Sequence, residues 1–166
     1  MPTFNNMKDL YAHVQNAIEK VLEPYVATAV KKVEQEMIIK TVYDVYSGVI
    51  SGKKRPVKYK RRRDDGGLMD IDNMQSDVKN GVLTIKNITE PNDSYKTSMF
   101  FFQDLAEIIE YGDGYNGFSY DYDTDTDDLY KQARPFTKNT VRRLKDTGRH
   151  IQALKKGLKK LKIDTN

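Results

Sequence analysis

The chain has no cysteine and no tryptophan, and only two histidines, His13 and His150, among its 166 residues. Without cysteine there is no disulfide, no thiolate nucleophile and no Cys-ligated zinc, and two isolated histidines do not suggest a histidine-rich metal centre. Long apolar runs are missing too. No stretch approaches the roughly 18 apolar residues of a membrane span. Residues 1–20 are polar and mixed in charge, without the apolar h-region of a signal peptide. These absences predict a protein with no cofactor and no membrane contact, one that stays in the cytoplasm unless an assembly carries it elsewhere.

What is present is charge, and it is segregated. Charged residues make up 31% of the chain and the net charge is +4. The run from Lys53 to Arg63 has eight cations and no acid, whereas residues 97–130 have nine acids and no Lys or Arg. Residues 131–163 then carry twelve cations against one acid, Asp146, a net of +11. Blocks of this kind are solvated faces or loops, or contacts for partners of opposite sign. In a chain that repeats around a ring, one subunit's acidic loop can meet its neighbour's basic one.

The 38% hydrophobic content supports one modest core in a single domain, 1–166, with charged loops at about 48–67 and 112–132. Phe4, Met7, Leu10, Val14, Ile18 and Val21 recur at helical spacing behind Asn6, a natural N-cap, and predict a helix over about 6–22. Pro24 interrupts the pattern. Helical spacing resumes through Val26, Ala29, Val30, Val33, Met37 and Val42, either as a continuation kinked at the proline or as a separate element. The β-branched and aromatic content of Thr41 to Tyr46 suggests that this end is already extended.

Two alternating segments flank Asn80-Gly81, whose residues favour a type I′ turn, so 74–88 is predicted to be a two-residue-loop hairpin. Ser98 to Phe102 reads as strand and Asp104 to Tyr111 as helix. Gly112 to Tyr130, rich in Gly, Asp, Tyr and Thr, reads as loop. The last pattern, Val141, Leu144, Ile151, Leu154, Leu158 and Leu161, predicts one amphipathic helix over about 136–162, with Gly148 filling a gap in the stripe and Pro135 in its first turn. Gly157 within it costs roughly 1 kcal/mol against Ala, and implies fraying or close packing. The expected fold class is α+β, with a long N-terminal helix, a small antiparallel sheet and this C-terminal helix.

Motifs for chemistry fall short of their requirements. Gly112, Gly114 and Gly117 match GxGxxG formally, but neither a preceding strand nor a following helix is predicted, and the surrounding acids would repel a pyrophosphate. The run Asp121 to Asp128 resembles the front of a calcium loop, yet Thr126 and Gln132 stand where the glycine and the bidentate glutamate belong. Asp104, Glu107 and Glu110 share a predicted helix face without a histidine or cysteine nearby, and a solvated face is the simpler reading. No GxSxG, Walker A or HExxH pattern occurs. The chain is expected not to be an enzyme.

Four segments in order carry a family resemblance: Val42 to Ser47, Tyr59 to Asp70, Leu105 to Gly114, and Ala133 to Phe136 leading into Ala153 to Leu158. Over about residues 42–160 the chain resembles the tail-completion or head–tail joining (minor tail) proteins of long-tailed phages that infect low-GC Gram-positive bacteria. It departs from that pattern in Gly48 to Val57 and in the enlarged Asp/Tyr loop 115–130. The resemblance implies an α+β subunit forming a ring, expected to be a hexamer, at the neck or upper tail of the virion, with other neck and tail proteins as partners and no catalytic residues.

Candidate subunit, partner or DNA-channel contacts are Lys53, Lys54, Arg55, Lys58, Lys60, Arg61, Arg62 and Arg63 in the basic run. Asp121, Asp123, Asp125, Asp127 and Asp128 in the acidic run and Arg142, Arg143 and Arg149 near the C-terminus complete the set. The alternative reading is a small basic nucleic-acid-binding protein, since Lys and Arg bind phosphate backbones by releasing counterions without reading sequence.

Overall fold

A computed structural model describes residues 4–44, 49–50, 53–54, 62, 64–90, 105–112 and 133–163. The long N-terminal helix starts where the sequence indicates. Asn6 is the N-cap, its Oδ1 accepting from the Asp9 N–H at 2.9 Å, and α1 runs over Met7–Val21. The Pro24 question resolves as a continuation. The backbone passes through a π-helical turn, Leu22–Ala27, into α2, Thr28–Ile38, and through a second, Ile39–Tyr43. A proline inside an α-helix removes one hydrogen bond and clashes with a carbonyl one turn back, and a wider turn absorbs both defects. The Thr28 hydroxyl caps the Pro24 carbonyl at 3.1 Å. The expectation that Thr41 to Tyr46 is extended is corrected for Thr41 to Tyr43, which are helical, Thr41 bonding back to the Met37 carbonyl at 2.7 Å; Val45 and Tyr46 lie outside the described residues.

Within the predicted loop 48–67 the backbone forms a short antiparallel ladder, β1 (Val49–Ile50) with β2 (Lys53–Lys54), so the start of the basic run is strand rather than irregular connector. The segment 64–73 is a compact turn. Gly66 has φ +68°, its N–H donates to Asp70 Oδ2 at 2.7 Å, and the other Asp70 oxygen caps the 3₁₀ turn Ile71–Asn73 through the Asp72 N–H at 3.0 Å.

The hairpin forms as read: β3 (Met74–Lys79) pairs with β4 (Val82–Asn87) around Asn80 and Gly81, at φ 53° and 75°. The pairs Met74 with Asn87, Ser76 with Ile85 and Val78 with Leu83 share the inner face. That face packs on the long helix beside Leu22–Ala27.

Helix α3 covers Leu105–Tyr111. The predicted single C-terminal helix is in fact two, α4 (Phe136–Thr147) and α5 (Arg149–Lys160), broken at Gly148. Gly148 takes φ +62°, ψ 15°, the left-handed cap that ends a helix, and its N–H bonds the Leu144 carbonyl at 2.9 Å. Pro135 lies just before the first turn rather than in it, and Phe136 begins α4.

The core joins every layer: Ile38 and Val42 from the long helix, Leu68 from the turn, Met74 from β3, Ala106 from α3 and Phe136 from α4. Phe136 is 1% exposed; removing a phenylalanine this buried costs about 3–5 kcal/mol. Helix α4 lies on α2, and α5 lies on α1 and its first π-helical turn. The readings of Ser98 to Phe102 and of Asp113 to Tyr130 fall outside the described residues. No helix among the described residues is long and apolar enough to cross a membrane.

Candidate functional site

Two features among the described residues concentrate polar chemistry: a buried knot where β4, α2 and the 64–73 turn meet, and the cationic outer surface of the last two helices. The knot begins with Asn87, the last residue of β4. Its Nδ2 donates to Glu34 Oε1 at 3.2 Å and to the Leu68 carbonyl at 2.8 Å, while its Oδ1 accepts from the Thr89 N–H at 3.2 Å and the Thr89 hydroxyl at 2.6 Å. Both donors and both lone pairs of the amide are thereby used. Glu34 projects into this knot because it stands one turn before Ile38 on the buried face of α2. Burial raises the pKa of Glu34 above the ordinary carboxylate range, and the nearby Glu110 carboxylate pushes the same way, against the Asn87 hydrogen bond and the Lys31 charge.

Glu110, in α3, has a different task. Its Oε2 accepts from the Thr137 N–H at 2.7 Å and its Oε1 from the Lys138 N–H at 3.1 Å. It therefore caps α4 from another helix, at the end where the backbone dipole favours an anion. Pro135 makes no side-chain cap, so the carboxylate takes that place. Glu110 is buried rather than on the solvated face expected for it, and the reason lies in a partner 27 residues away.

On the cationic surface, Arg142, Lys145, Lys155, Lys156, Lys159, Lys160 and Lys162 are exposed. Lys159 and Lys160 sit in the last turn of α5, where cations suit the carbonyl end of the dipole. The candidate arginines divide into two kinds. Arg142 faces solvent, whereas Arg143 is half-buried. Arg149 is tied down, its Nη1 2.6 Å from Glu36 Oε1 in an ion pair between the start of α5 and α2. At the first turn of α5 an unpaired cation would oppose the dipole, and Glu36 offsets that.

Of the basic run, Arg62 is half-buried and its Nη2 donates to the Glu90 carbonyl at 2.5 Å, joining the turn segment to the end of the hairpin. Lys53 and Lys54 are placed by their backbone in β2. Arg55, Lys58, Lys60, Arg61 and Arg63, and Asp121, Asp123, Asp125, Asp127 and Asp128, lie outside the described residues. The structure thus brings Arg142 and Arg149 to one helical region but gives Arg62 and Arg149 intramolecular work.

Two small cavities are lined by described residues. One, of about 270 Å³, is lined by Glu23, Pro24, Ala27, Thr28, Lys31, Ile71 and Ser76. Across it the Ser76 hydroxyl donates to Glu23 Oε1 at 3.3 Å. A second, of about 180 Å³, lies between Ile39, Tyr43, Asp44, Asp64 and Met69. Among the described residues no group of three or more His, Asp or Glu converges as metal ligands would.

Comparison with known proteins gives one finding. A family model described as YomN matches residues 6–160, from the N-cap of α1 to the end of α5. No curated protein and no solved structure matches the chain.

Proposed function

The chain belongs to the YomN family, a phage-derived family, and on that premise we propose that it is a structural virion protein that completes the tail or joins it to the head, acting as a ring-forming subunit. One observation carries the reading: the exposed lysines near the C-terminus, with no acid from Arg149 to Lys162, belong to the same chain as the cation-free segment 111–130 with its six acids. Segments of opposite charge on one chain are complementary between copies, which favours association of the chain with itself. The fully bonded knot around Asn87 fits a rigid subunit. On this reading the protein is not an enzyme, and its further partners are other neck and tail proteins.

Purified phage particles test the proposal. Mass spectrometry should find the protein among virion components, and cryo-EM of the neck or upper tail should show it as a ring. A strictly monomeric protein absent from particles sinks the assignment.

A second reading rests on the same lysine row. Lys155, Lys156, Lys159 and Lys160 lie along about two turns of α5, with Lys162 just beyond its end, and suit a phosphate backbone. DNA affinity should then fall linearly on a log–log plot against salt, with a slope near −0.9 per phosphate neutralised. No binding at low salt removes this alternative.

A further inference from the structure

Helix α1 carries a seam it only half uses. Met7, Tyr11, Val14, Ile18 and Val21 alternate steps of four and three, the spacing that keeps side chains in line along a helix packed against another, and Tyr25 follows in the π-helical turn. At the C-terminal end this seam is occupied by α5. A Cβ built on Gly157 would come within 2.8 Å of Val21 Cβ and 2.9 Å of Tyr25 Cδ2, and Lys160 Nζ stands 5.3 Å from the centroid of the Tyr25 ring. Toward the N-terminus the seam is bare: Met7 is 59% exposed, Tyr11 66% and Val14 38%, with Phe4 alongside, its ring 5.0 Å from that of His13.

Helix α5 has the matching surplus. Ile151, Leu154, Leu158 and Leu161 repeat the same spacing, the middle two half-buried, Ile151 50% exposed and Leu161 43%. Charge decides which surface can cover which. From Arg149 to Lys162 there are six cations and no acid, so two α5 helices repel each other. Residues 4–18 hold one cation, Lys8, and one anion, Asp9, and they present aromatic rings, which attract ammonium groups. The contact of α5 with the Leu22–Ala27 turn inside the subunit already combines such groups, with a lysine over a tyrosine.

We propose that the bare seam of α1 (Met7, Tyr11, Val14) docks on the exposed stripe of α5 (Ile151, Leu161) of a second copy of this chain. In this contact Tyr11 meets the lysines of its neighbour's α5 as Tyr25 meets Lys160 within the subunit. The two surfaces differ, so the contact is head to tail, the kind that closes into a ring when the rotation permits. The inference rests on the self-assembling subunit proposed above and names the faces that assemble.

The absence of cysteine makes the test direct. Full-length Tyr11→Cys protein is mixed with isotope-labelled Leu161→Cys protein, oxidised mildly, and the disulfide dimers are weighed by mass spectrometry. Mixed-mass dimers should exceed either same-mass dimer several-fold. Val82→Cys, on the hairpin and 63% exposed, should cross-link with Leu161→Cys only at background. A predominance of same-mass Tyr11→Cys dimers, or mixed dimers no more abundant than with Val82→Cys, overturns the proposal. Native mass spectrometry of Tyr11→Lys should show loss of higher oligomers with an unchanged circular dichroism spectrum, and unchanged oligomers would count against it. Rings in virions without the mixed dimer would refute this contact and leave the virion assignment standing; the mixed dimer in a protein absent from virions would do the reverse.

Discussion

Gly157 of α5 and Val21 of α1 approach so closely that a single added carbon on the glycine would lie 2.8 Å from the valine Cβ. Two helices meet there backbone to side chain, and Gly157 is buried in the contact. Gly157→Ala should therefore destabilise the fold. Helix propensity favours the alanine by about 1 kcal/mol, but overpacking against Val21 and Tyr25 costs about 1–3 kcal/mol. Thermal unfolding should show a lower Tm, and a rise would mean that α5 shifts off the long helix without penalty.

Gly148→Ala probes the opposite situation. Nothing lies within 4 Å of the position of its missing Cβ, so the cost is conformational: about 1–2 kcal/mol for holding an alanine at φ +62°. A lower urea midpoint with unchanged slope is the expected result. Equal or greater stability would show that the break between α4 and α5 heals into one rod.

Glu110→Ala removes the remote cap of α4. The loss should be about 1–2 kcal/mol, in the range measured for N-caps. Hydrogen exchange adds a local signature, since the Thr137 and Lys138 amides lose their acceptor and should exchange faster than those later in the helix.

Glu34 gives the pH prediction. Its pKa in the folded protein is raised, first by burial and then by repulsion from Glu110, so the folded state holds this proton more tightly than the unfolded chain. Stability from this group is accordingly full below the pH at which a free carboxylate titrates, and it declines as pH rises through the folded value. Glu34→Gln keeps an acceptor for Asn87 and removes the buried charge. At pH 7 its Tm should rise by about 2–4 °C for each kcal/mol recovered, with a flatter stability profile above the pH at which a free carboxylate titrates. A lower Tm at pH 7 would show that the carboxylate's hydrogen bond outweighs its burial.

Local signals were the legible ones. Asn80-Gly81 dictates its turn within four residues, and Asn6 caps α1 through Asp9, so both elements can be read directly. At Gly157 the sequence leaves fraying and close packing open, and the approach of Val21 decides for packing. The break at Gly148 was less accessible, because glycine in a gap of the apolar stripe looks the same whether the helix passes through it or ends there. Long-range pairings left no trace in the sequence. Glu110 caps a helix 27 residues on, and Arg149 meets Glu36 113 residues back. No local pattern separates such residues from solvated ones, so Arg149 could be read as a partner contact although it holds two helices of its own subunit together.

The π-helical turns at Leu22–Ala27 and Ile39–Tyr43 have a geometric result of their own. Each accommodates about one residue more than an α-turn, and one residue is about 100° of winding. An uninterrupted α-helix from Met7 to Tyr43 would keep one apolar meridian along its length. The extra winding swings that meridian, so α1 and the Leu22–Ala27 turn offer side chains to α5, the same turn also meets the hairpin, and α2 turns chiefly toward α4. The N-terminal rod thus acts as a phase shifter, letting one continuous piece of backbone serve neighbours lying in different directions.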